Sequence, residues 1–113
     1  MTMSNRHERV AEEIKKVVSE ALRTKVSDPD IGMVTVTDVE LTKEMEIATI
    51  YYTSLNDNRE EVEAGLDRAK GLVRSEVAKE IRIRKAPELQ FKYDTSIEYG
   101  HKIENLLNEI KDK

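Results

Sequence analysis

Apolar positions in the first quarter of the chain fall at spacings of three and four. Val10, Ile14, Val17, Val18, Ala21 and Leu22 mark one face of a helix running towards Lys25. Asn5, with Glu8 three positions later, supplies its start signal. The helix ends before Ser27-Asp28-Pro29-Asp30, because proline disfavours helix in the residue that precedes it. The period then changes. Met33 to Leu41 is rich in valine and threonine, and Glu46 to Ser54 puts Ala48, Ile50 and Tyr52 on one face with Ile47 and Tyr51 on the other. In the first of these strands the apolar phase slips between Val36 and Val39, which predicts a bulge or a strong twist. The short polar link Thr42 to Met45 makes the pair an antiparallel hairpin.

Helical spacing returns after the loop Asn56-Asp57-Asn58, where Asn58 and Glu61 form a cap. Val62, Leu66, Ala69, Val73, Val77 and Ile81 make a stripe that passes straight through Gly71. A glycine inside a helix costs roughly 1 kcal/mol relative to alanine, and it permits a bend that a Cβ resists. Two helical halves meeting at a kink, Ala69 to Gly71, are therefore expected. Lys85-Ala86-Pro87 breaks the pattern, and Leu89, Phe91 and Tyr93 alternate with Gln90 and Lys92 as a third strand with Phe91 in the core. Thr95 and Glu98 form a capping box for a last helix whose stripe is Tyr99, Ile103, Leu106, Leu107 and Ile110. The order α-β-β-α-kink-α-β-α predicts a single α+β domain over residues 1–113, a three-stranded sheet packed by helices, with 1–4 and about 109–113 frayed. No internal repeat, linker or low-complexity segment interrupts it.

Composition narrows the chemistry. Charged residues are 37% of the chain, and there is no tryptophan and one phenylalanine, so valine, isoleucine, leucine and tyrosine must build a small core. No cysteine is present, which removes disulfides, thiol chemistry and cysteine metal sites. No apolar run approaches the roughly 20 residues a membrane span needs, and the first residues read as a polar amphipathic helix rather than a signal peptide. A cytoplasmic location is expected. Charge is segregated. Arg68, Lys70, Arg74, Lys79, Arg82, Arg84 and Lys85 stand against only Glu76 and Glu80, a net of +5 that leaves −9 for the rest of a chain whose total is −4.

No catalytic constellation can be assembled. His7 and His101 lie in different terminal helices with no carboxylate at ligand spacing, and read as surface histidines. Asp28 and Asp30 flank a proline and read as a turn, with no further metal ligands after them. There is no G-x-S-x-G, P-loop or G-x-G-x-x-G. Neither an enzyme, a metal nor a cofactor is expected. Helix-turn-helix-strand order after a hairpin is instead that of a type II KH domain, where a G-x-x-G loop clamps single-stranded RNA backbone. This chain has no G-x-x-G; the equivalent joint is Ala69-Lys70-Gly71.

These residues resemble the bacterial ribosome-binding factor A family over nearly the whole chain. Arg6 and Arg9 head the first helix, Asp28-Pro29 precedes the V-T-V-T-D-V strand Val34 to Val39, and Arg74 follows the A-x-G joint. Arg82-Ile83-Arg84 leads into Pro87-Glu88-Leu89, then Phe91, Asp94, Ser96 and Gly100. A lone A-x-G carries no weight; the ordered set does. The resemblance implies a KH-like, non-catalytic factor that binds the small (30S) ribosomal subunit late in its maturation. It also implies help in processing the 16S rRNA precursor, support of growth in the cold, contact with rRNA near the decoding region, and release by a ribosome-associated GTPase. Asp30 departs from relatives that carry a basic residue after Asp-Pro, which argues against a phosphate contact at that turn.

The expected RNA-binding residues are Lys70, Arg74, Lys79, Arg82, Arg84 and Lys85, with Arg6 and Arg9, on a monomer whose helix bends at Gly71 to follow a curved backbone. Arg82 and Arg84 are the strongest candidates, since arginine can fork onto two phosphate oxygens. Five engaged phosphates correspond to a slope of log affinity against log salt of about −3.5 to −4.5. Tyr51 is the one candidate for base stacking, so backbone recognition dominates. The competing readings are an ordinary solvated face, a Gly71 that admits close packing, and a domain that reaches the ribosome through proteins.

Overall fold

The computed structural model describes residues 5–56 and 58–96. Its elements are α1 (Asn5–Thr24), β1 (Val34–Leu41), β2 (Ile47–Ser54), α2 (Arg59–Glu80) and β3 (Glu88–Tyr93). The strands form one sheet in the order β1-β2-β3. β2 is central, antiparallel to β1 and parallel to β3. The expected bulge is present: the β1–β2 register shifts between Val36 and Asp38. It lets Val36 and Val39 both face the core although they are three residues apart.

The apolar stripes close on that sheet face. Val10, Ile14, Val18 and Ala21 of α1 and Val62, Leu66, Ala69, Val73 and Val77 of α2 are buried with Ala48, Ile50, Tyr52 and Leu89. Phe91 and Tyr93 are half-buried at its margin, both edge-on to Tyr52, with centroids 6.4 Å and 5.7 Å away. The Arg59 guanidinium lies 3.7 Å from the Tyr93 ring centroid, a cation–π contact that covers this end of the core.

The helical halves expected on either side of Gly71 form one element. α2 has helical backbone from Arg59 to Glu80, capped by the Asn58 side chain, which accepts from the Glu61 N–H at 3.2 Å. Strong helix formers flank Gly71, and the buried stripe continues on both sides of it, so the propensity cost of one glycine is absorbed. Gly71 faces solvent, and a Cβ built there meets nothing within 4 Å among the described residues. Close packing is therefore not what selects this glycine. The glycine that packing does select is Gly65, where a Cβ would stand 2.7 Å from Ile31 Cγ1. The capping box expected at Thr95 and Glu98, the expected last helix and the two ends expected to fray fall wholly or partly outside the described residues.

Ile31 is held in that notch by the loop around it. Arg68 forks onto Asp28 with bonds of 3.0 and 3.1 Å and reaches Asp30 at 2.9 Å. The Asn56 side-chain amide donates to the Asp30 carbonyl at 3.2 Å. The two aspartates that might suggest a metal site thus serve as a latch for α2. Arg68 holds the Asp28 carboxyl below its ordinary range. At the far end of the sheet Asp94 accepts from Ser96 and from the Thr37 hydroxyl at the bulge, and its carboxyl is lowered too. A carboxylate lowered in the folded state adds stability above its unfolded pKa and loses it as pH falls through the folded one. Acid titration followed by circular dichroism is expected to show stability flat down to about pH 4 and falling below it. Asp94→Asn should shrink that acid-sensitive part.

Candidate nucleic-acid interface

The predicted basic residues do not form a single face. Arg84 and Lys85 lie in the loop between α2 and β3, which turns back at Ile83, whose N–H donates to the Ile81 carbonyl at 3.0 Å. Arg74 fixes this loop: its Nε donates to the Pro87 carbonyl at 3.1 Å and its Nη2 to the Ala86 carbonyl at 2.9 Å. Both partners are carbonyls, so the guanidinium loses its freedom without meeting a carboxylate. Arg6, from the first turn of α1, completes the group. Arg6, Arg74, Arg84 and Lys85 line one cleft of about 810 Å³.

The other predicted cations stand apart. Lys79 lies 3.6 Å from Glu76 and shares a different cleft with Lys16 and Lys25. Lys70 pairs with Asp67 at 3.2 Å. Arg82 and Arg9 are exposed and line neither cleft. Among the described residues Arg6, Arg84 and Lys85 have no ion-pair partner within 4.0 Å. Of the kink residues, Ala69 is buried and Gly71 exposed. Tyr51 is half-buried, its hydroxyl donating to Glu40 at 2.9 Å.

Sequence reasoning missed the rest of the cleft's lining, in which Glu44, Glu46 and Glu88 join the cations together with Met45, Ile47 and Ile83. These glutamates carry no periodic signal, and only the parallel pairing of β3 with β2, which sets Glu88 opposite Ile47, brings them together. His7 was also read as an ordinary surface residue. Its Nε2 lies 2.9 Å from the Leu41 carbonyl and 3.1 Å from that of Thr42, tying α1 to the hairpin. Among the described residues no group of three histidine or acidic side chains could hold a metal ion, and no helix is long and apolar enough to cross a membrane.

Because Arg74 gives up its donors to the loop, its replacement separates loop position from charge. Arg74→Lys keeps the charge and loses the double anchor. Unfolding by urea should show a loss of about 1 kcal/mol, with a shallower salt dependence of RNA binding only in Arg74→Met.

The family model described as ribosome-binding factor A matches residues 6–107. The chain belongs to the ribosome-binding factor A family. A curated Macrococcus caseolyticus ribosome-binding factor A is 44% identical over 110 residues, covering 96% of each chain. The crystal structure of ribosome-binding factor A from Thermus thermophilus matches with a TM-score of 0.71 at 23% identity, covering 76% of this chain and 92% of that one. A Thermus thermophilus homology model fitted into a cryo-EM map of a 30S complex matches with a TM-score of 0.67, again at 23% identity, covering 77% of this chain and 93% of that one. The fold is KH-like, as these ribosome-binding factor A structures are, with the Ala69-Lys70-Gly71 joint inside a continuous helix.

Proposed function

We propose that this protein is an assembly factor of the cytoplasmic small (30S) ribosomal subunit. It binds 16S rRNA during late maturation, assists processing of the rRNA precursor, supports growth in the cold, and is released by a ribosome-associated GTPase. It acts as a monomer and without catalysis. Two things support the reading: membership of a family named for ribosome binding, whose Thermus thermophilus member was fitted into a 30S complex, and the geometry of the cleft. The observation that carries it is the convergence of Arg6, Arg74, Arg84 and Lys85 from three parts of an acidic chain onto one cleft.

Phosphate is the natural counter-ion for such a set. None of the four cations has an ion-pair partner among the described residues, so meeting RNA breaks no ion pair. Arg84 and Lys85 are presented by a loop that Arg74 has already ordered, which lowers the entropy lost on binding. Lys79 and Arg82 extend the basic surface and Lys70 and Arg9 add outlying charge. Gly71 leaves α2 free to bend as it meets a curved backbone. The acidic remainder repels RNA that cannot fit the cleft. Co-sedimentation with purified small subunits across a salt series tests this reading. Binding to the small subunit alone, weakening as salt rises, is the expected result; association indifferent to salt would overturn it.

A further inference from the structure

Two of the segments that line the cleft are held by hydrogen bonds. One is the loop carrying Arg84 and Lys85, which Arg74 anchors. The other is the hairpin turn, locked by Thr42: its carbonyl accepts from the Met45 N–H at 2.8 Å, and its hydroxyl accepts from the Glu46 and Ile47 N–H groups at 3.0 and 3.1 Å. Met45 sits at φ 59°, the only non-glycine residue among those described with a positive φ, a conformation that an L side chain adopts only when its surroundings impose it. The Glu88 N–H donates to the Glu46 carbonyl at 2.8 Å, which joins the turn to the start of β3. Met45, Ile47 and Ile83 are half-buried and line the same cleft.

A surface that bound only phosphate would gain nothing from carboxylates among its cations; they would repel the ligand. A lining that combines cations, carboxylates and apolar side chains suits a ligand with an anionic end, a flat body and a hydrogen-bond-donating edge. A nucleotide in single-stranded RNA has all three, and the cleft's 810 Å³ lies within the roughly 300–1,000 Å³ of small-ligand sites. The bases differ in what they offer a carboxylate. Guanine presents N1–H and N2–H side by side to its two oxygens, cytosine and adenine each offer an amino group, and uracil presents one N–H between two carbonyl oxygens that a carboxylate repels.

Resting on the RNA reading above, the geometry points to a base-selective site: the cleft receives one unpaired guanine. Its phosphate lies on Arg84 and Lys85, its ring on Met45, Ile47 and Ile83, and its donor edge faces the carboxylates of Glu46 and Glu88 with Glu44 beside them. The residues that bind backbone and the residues that choose the base are thus different members of one lining.

The test is fluorescence anisotropy with the full-length protein and short oligouridylates carrying either no guanosine or a single one. The single-guanosine oligomer should bind about five- to tenfold tighter than the plain one. In Glu46→Gln/Glu88→Gln, which keeps the shape but not the paired acceptors, that ratio should fall to about twofold or less. Oligomers that bind alike, or not at all, overturn the inference, as does a ratio that survives in the variant. Salt-sensitive small-subunit binding that is lost on reversing Arg84 and Lys85 leaves the RNA reading standing in each of those cases. If that binding is indifferent to both salt and reversal, the RNA reading falls too.

Discussion

Reversing Arg84 and Lys85 together to glutamate is expected to weaken binding to small ribosomal subunits by about a hundredfold at low salt, with each lost charge-assisted contact worth about a factor of ten. Both side chains are exposed, neither has an ion-pair partner among the described residues, and neither supports the core. The thermal melting temperature should therefore hardly change. Single reversal of Arg82 or Lys79 should cost less, because Arg82 lies outside the cleft and Lys79 already faces Glu76 at 3.6 Å. An equal loss from Lys79→Glu and from the cleft pair would show that the whole basic surface acts diffusely and that the cleft has no special role.

The second large effect separates two glycines of one helix. Gly65→Ala is expected to destabilise the fold by about 1–3 kcal/mol, the usual cost of an overpacked site. Its Cβ would stand 2.7 Å from Ile31 Cγ1 and 3.4 Å from the Ile31 backbone nitrogen, and Ile31 cannot retreat while Arg68 holds the loop that leads into it at Asp28 and Asp30. Gly71→Ala should do the opposite, stabilising by up to about 1 kcal/mol, because an exposed helical glycine gains propensity and meets nothing. Urea unfolding of both variants reads the contrast. If Gly71 is kept for compliance during binding, Gly71→Ala is more stable yet binds the subunit more weakly. A variant that is more stable and binds equally well would remove the bend from the mechanism.

Much of this fold was legible in the sequence because its elements have strong periods. The stripe from Val62 to Ile81 is buried at every position, the α1 stripe packs as read, and Asn58 caps α2. Even the bulge showed itself, since no regular strand can bury both Val36 and Val39. What escaped were contacts between residues far apart in the chain. Gly71 stands out in the sequence as a glycine in mid-helix, whereas Gly65 lies at the edge of the stripe and reveals its purpose only once Ile31 is beside it. Arg68 looked like one more cation of the basic run; in the fold it is spent on Asp28 and Asp30. That pairing also accounts for an acidic residue at position 30. The candidate site was half legible: charge counting found Arg74, Arg84 and Lys85, but not their convergence with Arg6 or the glutamates that share the cleft.

The claim on which the rest depends is that the cleft beside Lys85 meets RNA. A photo-crosslinking amino acid in place of Lys85, in otherwise unaltered protein bound to purified small subunits, tests it most directly. Irradiation should attach the protein to 16S rRNA, and the same residue placed at Glu60, on the first turn of α2, should not. Attachment to ribosomal proteins alone from position 85, with binding to the subunit intact, would contradict the account.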